Sequence, residues 1–281
     1  MDTEVLRTFL EVNRTRHFGK ASENLCVTQS TVSARIRLLE EAVGAHVFTR
    51  SRNDIQLTDV GQRLLRYAEN ILTTWNRARQ EVSASAETSM FLSVAGIQSL
   101  WDIILQGWLN NIYKQHNDMV LRTEVLGYET IQRRLSEGSL DLAFVFDIPL
   151  SWEHNVTEVA KVPLVLISSK PDLSTEQAMR EDYIMVDWGT SFSVAHARLF
   201  PDMLPSSLHA GMGRIALDVI LDCGGSAYMP ESMVADYIEQ NKIYVVKDSP
   251  IIERFAYAVF PENEEKNNTI KKLLLYFKEI K

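Results

Sequence analysis

Residues 18–40 of this 281-residue chain constrain its fold more than any other stretch. They read as two helices joined by a tight turn, the second polar and arginine-bearing. That is the arrangement of a helix-turn-helix, which presents one helix to the major groove of DNA. The first helix spans about 19–25, with Ala21 and Leu25 on one face, and Cys26-Val27 forms the turn. Thr28 is placed to cap the next helix, its hydroxyl taking an orphan backbone N–H. There Val32, Ile36, Leu39 and Val43, spaced 4, 3 and 4, form one narrow apolar stripe. Ser30, Ala34, Arg37 and Glu41 point away from it, Ser33 lies on its flank, and Gln29 sits in the first turn, where a recognition helix touches base edges. Arg35 lies nearer the stripe, which suits a phosphate contact better than a base contact. Periodicity alone also fits an ordinary amphipathic surface helix. The cap, the short turn and the small Ala21 and Ser22 at the helix crossing favour DNA binding.

Over residues 1–66 the chain resembles the N-terminal domain of LysR-type transcriptional regulators. The resemblance rests on Leu6-Arg7-Thr8-Phe9, Phe18-Gly19-Lys20-Ala21-Ser22, Val27-Thr28-Gln29-Ser30-Thr31-Val32-Ser33, Ile36-Arg37-Leu38-Leu39-Glu40-Glu41, Val43-Gly44, Val47-Phe48-Thr49-Arg50 and Leu57-Thr58-Asp59-Val60-Gly61, in order and correctly spaced. It implies a winged helix-turn-helix. Residues 47–51 and 54–57 would be the wing strands, and Arg50, Arg52 and Asn53 the phosphate and minor-groove contacts. Ala34 stands where some relatives carry arginine, so this chain offers a thymine methyl an apolar contact there.

A net charge of −8 looks wrong for a DNA binder, but its distribution is uneven. Residues 14–66 hold nine Lys/Arg against five Asp/Glu, a balance of +4, so the acidic excess lies elsewhere. A local basic patch outweighs the total when screening falls off over about 10 Å. The two cysteines, Cys26 and Cys223, form no zinc or CxxC pattern and read as buried structural thiols. The apolar runs fall short of a membrane span and the N-terminus lacks a signal-peptide core, so the expected location is cytoplasmic, away from the membrane. The six histidines (His17, His46, His116, His154, His196, His209) are scattered, and no HExxH, GxSxG or phosphate-loop pattern occurs. An enzyme, a metal site and a cofactor are therefore not expected.

Residues 58–86 read as one long helix in which Leu64, Ala68, Ile71, Trp75, Ala78 and Val82 make a heptad seam. A seam on an inter-domain helix suits pairing with a second copy, and the resemblance implies the same. Two-fold symmetry then predicts a pseudo-palindromic operator in double-stranded DNA. A tetramer and contact with RNA polymerase are further associations the resemblance admits. The expected domains are 1–58 (winged helix-turn-helix), 59–89 (linker helix and a hinge at 83–89) and 90–281.

The third region alternates strand and helix. Strands are expected at 90–96, 120–126, 140–146, 162–168, 183–187, 227–229, 243–246 and 251–260. Helices are expected at 101–114, 130–137, 214–221, 231–240 and 266–280. This rhythm predicts an α/β fold with an open, mainly parallel sheet. The segments Asp141-Leu142-Ala143-Phe144 and Tyr228-Met229-Pro230-Glu231-Ser232-Met233 resemble LysR-type effector domains. That implies two lobes like those of periplasmic solute-binding proteins, about 90–163 with 250–281 and about 164–249, holding a small-molecule effector between them. Ser99-Leu100-Trp101 and Asp187-Trp188-Gly189-Thr190-Ser191-Phe192 resemble, more loosely, the branch of that family typified by a flagellar regulator, which implies motility genes among the targets.

Open α/β sheets bind ligands beyond the carboxyl ends of their strands. Gln98, Ser99, Thr130, Trp188 and Thr190 cluster there and are the candidate effector contacts. Ser99 and Thr190 also fit helix caps, and Trp188 also fits the core. No arginine lies beside these segments in the sequence, which weighs against a carboxylate ligand. The competing function is a DNA-binding architectural repressor that responds to no ligand.

Overall fold

Asp2, His17 and Thr28 each accept a backbone N–H through the side chain, and these caps set where the N-terminal helices begin. The computed structural model describes residues 2–50, 55–83, 90–116, 118–148, 152, 154–203, 205–206 and 208–279, which pack as two units, Met1–Glu87 and Thr88–Lys281. In the first, helix α1 (Thr3–Thr15) buries Leu6, Phe9 and Val12, α2 (Phe18–Asn24) buries Ala21, and α3 (Gln29–Val43) buries Val32, Ile36 and Leu39. Cys26, at φ 53°, turns α2 into α3, and Gly44, at φ 76°, ends α3 in the left-handed conformation that favours glycine. Helix α2 starts one residue earlier than its periodicity predicts because His17 Nδ1 accepts from the N–H groups of Gly19 (3.0 Å) and Lys20 (3.1 Å).

The apolar stripe of α3 stops short of Val43, which is exposed. Its place is taken by Glu40, a buried carboxylate whose Oε1 accepts the Val47 N–H at 3.1 Å. That bond fixes the entry to the wing, where β1 (Phe48–Arg50) pairs antiparallel with β2 (Ile55–Leu57), Phe48 opposite Leu57. Phe48 packs on Phe9 with ring centroids 5.3 Å apart, tying the wing to the helices. Arg52 and Asn53 lie outside the described residues, as does the side chain of Arg50.

Helix α4 (Asp59–Ser83) starts on Thr58, whose Oγ1 accepts from the Gly61 N–H at 3.0 Å. The expected seam divides. Ala68 is buried and Leu64 partly buried against the unit's own core, joined by Leu72, while Ile71, Trp75 and Val82 are exposed together with Tyr67. Residues 84–89, where the helix end and hinge are expected, lie outside the described residues.

In the second unit β3 (Met90–Gly96) runs parallel to β4 (Met119–Val125) on one side and to β5 (Leu142–Val145) on the other. Between β3 and β4 lie α5 (Gln98–Leu100), a π-helical turn over Trp101–Leu105 and α6 (Gln106–Gln115); α7 (Tyr128–Ser136) connects β4 to β5. The sheet is mixed rather than mainly parallel. The long strand β6 (Asn155–Ser168) pairs antiparallel with β9 (Ser226–Pro230), β10 (Tyr244–Val245) and β11 (Ile252–Phe260), and β11 pairs antiparallel with β5. Strands β6 and β11 run through both lobes, so βαβ counting misjudges their direction. The second lobe adds α8 (Thr175–Arg180), β7 (Ile184–Val186), α9 (Thr190–Leu199), β8 (Leu208–Ala210), α10 (Gly213–Cys223) and α11 (Glu231–Glu239), with β7 and β8 parallel. Helices α8 and strand β8, three to six residues each, are too short to read from periodicity. The closing helix α12 (Glu264–Leu274) returns to the first lobe, where Trp108 Nε1 donates to the Leu273 carbonyl at 2.9 Å.

Both cysteines depart from expectation. Cys26 sits in the turn and Cys223 ends α10, and both are exposed. No helix among the described residues is long and apolar enough to cross a membrane.

Two outcomes follow for stability. Glu40→Ala strands the Val47 N–H and should destabilise the first unit by about 1–3 kcal/mol, read as a lower denaturation midpoint. His196 is buried, pairs with the Tyr183 hydroxyl at 2.8 Å, and is held below its usual range by burial. A neutral buried imidazole contributes fully above its ordinary value of 6.5, and that contribution is lost as pH falls below it. Melting midpoints between pH 7.5 and 5 should therefore drop more steeply for the wild type than for His196→Gln.

Candidate nucleic-acid interface and ligand cleft

On α3 the polar arc is free of the core. Gln29, Ser30, Ala34 and Arg37 are exposed and Ser33 is half-buried, opposite the fully buried Val32, Ile36 and Leu39. Thr28 Oγ1 accepts from the Thr31 N–H at 3.2 Å, so Gln29 and Ser30 occupy the first turn of the helix. Arg35 is placed differently from the rest of the set. Its Nη1 donates to Thr8 Oγ1 at 3.2 Å and lies 3.5 Å from a Glu4 carboxylate oxygen. This guanidinium ties α3 to α1, which removes it from the outward arc.

The second unit contains a cleft of about 810 Å³ beyond the carboxyl ends of β3, β4, β5 and β7. Gln98, Ser99, Trp188 and Thr190 line it as expected from sequence, whereas Thr130 does not. Thr130 lies two residues, about half a turn, beyond Tyr128 and so faces another side of α7, and Tyr128, at the start of that helix, takes the wall position. Trp188 lines the cleft only with an edge. It is 1% exposed, and its Nε1 donates to the Tyr228 carbonyl at 2.8 Å. Gly213 lies so close that a Cβ there would meet the ring at 2.4 Å. Trp188 is thus a core residue, and its truncation reports on folding before it reports on a ligand.

Neither Ser99 nor Thr190 is a cap. The caps are Ile97 and Gly189, and neither supplies a side-chain acceptor. At α9 the acceptor comes from another segment. Asp147, two residues beyond β5, accepts from the Thr190 N–H through Oδ2 (3.2 Å) and from Ser191 Oγ through Oδ1 (2.5 Å). Arg254 of β11 donates to the same Oδ1 through Nη2 at 3.0 Å. The guanidinium is 4% exposed and lies over the Phe146 ring, 5.0 Å from its centroid. An arginine therefore does stand beside the cleft. It is 107 residues from Asp147 in sequence, which is why local reading missed it. Burial, then the Asp147 charge, push the Tyr128 hydroxyl above its usual range. Among the described residues no cluster of three or more His, Cys, Asp or Glu side chains could hold a metal ion.

Comparison with known proteins covers both units. Residues 3–62 match the family described as bacterial regulatory helix-turn-helix protein, lysR family, and residues 85–280 match the LysR substrate binding domain. The chain is 38% identical to the HTH-type transcriptional regulator HdfR of Yersinia enterocolitica, over 98% of this chain and 95% of that protein. It is 36% identical to HdfR of Yersinia pestis over the same shares. Among solved structures, full-length CbnR complexed with its target DNA matches with a TM-score of 0.78 at 18% identity, covering 99% of this chain and 98% of that one. Vibrio fischeri DarR in complex with DNA matches with a TM-score of 0.62 at 20% identity, covering 100% and 99%. These structures carry the fold; the family models and the HdfR relatives carry the identity. The chain belongs to the LysR family of DNA-binding transcriptional regulators, a helix-turn-helix domain followed by a substrate-binding domain.

Proposed function

We propose that this regulator binds a pseudo-palindromic operator as a dimer, in the cytoplasm, and that a small molecule in the cleft of its second unit sets how it does so. The observation that carries the DNA assignment is the exposed arc of Gln29, Ser30, Ala34 and Arg37 on a helix whose opposite face is fully buried. A helix held this rigidly can present its first two turns to base edges. Arg37 is the strong guanine reader of the set, and Ala34 suits a thymine methyl. The wing residues Arg50, Arg52 and Asn53 are assigned the phosphate and minor-groove contacts. Arg35, tied to Thr8 and Glu4, is assigned a positioning role.

Dimerisation is supported by the side chains α4 leaves uncovered. Tyr67, Ile71, Trp75 and Val82 are between 44% and 86% exposed along one helix, a stripe that a second copy of α4 would bury. Two copies are needed because one arc, with a single strong guanine reader, is a weak binder. The effector assignment is supported by the cleft that Gln98, Ser99 and Thr190 line.

Footprinting of the full-length protein on the promoter region beside its own gene tests the reading. Arg37→Ala should weaken operator binding by about 5- to 150-fold at matched salt, equivalent to about 1–3 kcal/mol, with the sedimentation coefficient unchanged. Equal operator affinity for the variant removes Arg37 from the interface. A footprint indifferent to added cell metabolites favours the architectural repressor.

A further inference from the structure

We propose that Asp147 is a built-in occupant of the cleft's anion seat, so that this regulator takes an uncharged or cationic effector and excludes carboxylates at that point. Helix α9 spans ten residues and starts at Gly189 with no side-chain cap of its own. A helix start of that kind attracts anions, because its first N–H groups are unsatisfied and the peptide dipoles align there. The donors gathered around it are the Thr190 N–H, the Ser191 hydroxyl and the Arg254 guanidinium. A backbone N–H, a hydroxyl and an arginine together make a strong receptor for a free carboxylate. In this protein the carboxylate belongs to the chain.

The backbone is shaped for that occupant. Gly189 has φ +93°, a conformation open to glycine, and a Cβ there would lie 2.5 Å from Asp147 Oδ2 and 3.0 Å from Arg254 Nη2. The Gly189 seen in sequence between Trp188 and Thr190 therefore has two jobs, the turn and the clearance for Asp147. The remaining charge on the wall has the same sign. Asp187 lines the cleft, its Oδ1 accepting the Gly189 N–H at 3.0 Å, and no Lys, Arg or His lines it among the described residues. The nearby cation, Arg254, is already paired with Asp147. At this wall an incoming acid meets two carboxylates and must displace Asp147 before it reaches the Thr190, Ser191 and Arg254 donors; an amine or a neutral polar molecule meets acceptors there. The conclusion about effector class rests on the cleft being the effector site, but the occupied seat does not.

The test is anion rescue. Full-length Asp147→Ala empties the seat, and the probe is sodium acetate against sodium chloride at equal ionic strength. Acetate should raise the variant's melting midpoint by about 2–4 °C over chloride and leave the wild type unmoved. If Asp147→Ala does not fold in chloride, Asp147→Ser, which also vacates the seat, carries the same comparison. Acetate moving wild type and variant alike, or moving neither, overturns the proposal. DNA affinity measured in the same solutions separates the two readings. Acetate-specific stabilisation of the variant with unchanged DNA binding supports the seat and counts against the effector role of the cleft.

Discussion

The second unit depends on one backbone interaction, the antiparallel pairing of β6 with β11 along all nine residues of β11. The two strands are shared property of the lobes. One end of β11 pairs with β5 in the first lobe, while the far end of β6 pairs with β9 and β10 in the second. Without that pairing the seven-stranded sheet would split between β6 and β11 and expose two further strand edges, which proteins avoid. The register slips between Ala256 and Tyr257, and a bulge of this kind bends a strand and changes its twist. Arg254 sits on β11 just before that slip, so the pairing that joins the lobes also delivers the guanidinium to Asp147.

The first unit solves a different problem, which is to leave one helix face unencumbered. The stripe of α3 is held by Phe9, Val12 and Phe48 in a core of its own. The polar devices around it are spent within the unit: Glu40 on the Val47 N–H, Arg35 on Thr8, and the exposed His17 on its own helix start. Each satisfies a backbone donor or ties two helices without crossing the outward arc. The net charge of −8 belongs to the whole chain, whereas the local balance over residues 14–66 is positive.

What was legible in the sequence was whatever repeats over short distances. Thr28 as a cap, the stripe of Val32, Ile36 and Leu39, and β3 at 90–96 all follow from spacing alone. The residues it hid act across long separations. Asp147 meets Thr190 and Ser191 from 43 and 44 residues away and Arg254 from 107, and no period marks such a meeting. Trp188 lines the cleft and is core as well, the two readings its sequence left open. An aromatic beside hydroxyls suits a binding wall, but its indole N–H is spent on the Tyr228 carbonyl and Gly213 leaves it just enough room to be core. The one signal that pointed toward the seat was Gly189, a glycine between a buried aromatic and a helix start, where close backbone approach is the physical reason to lack a side chain.

An occupied anion seat changes what a ligand has to do. A ligand shifts a conformational equilibrium only by the difference in its affinity for the two states. Here Asp147 already bridges the strand end of the first lobe, the helix start of the second and the strand common to both. Its bonds exist before any ligand arrives, so a ligand that merely replaced them would gain little. In the proposed arrangement the differential contacts come from the other wall, where α5 begins at Ile97 without a side-chain acceptor and Gln98 is exposed to the cleft. In that proposed arrangement the two walls divide the work: the α9 side sets which charges are refused, and the α5 side is where recognition has room to act.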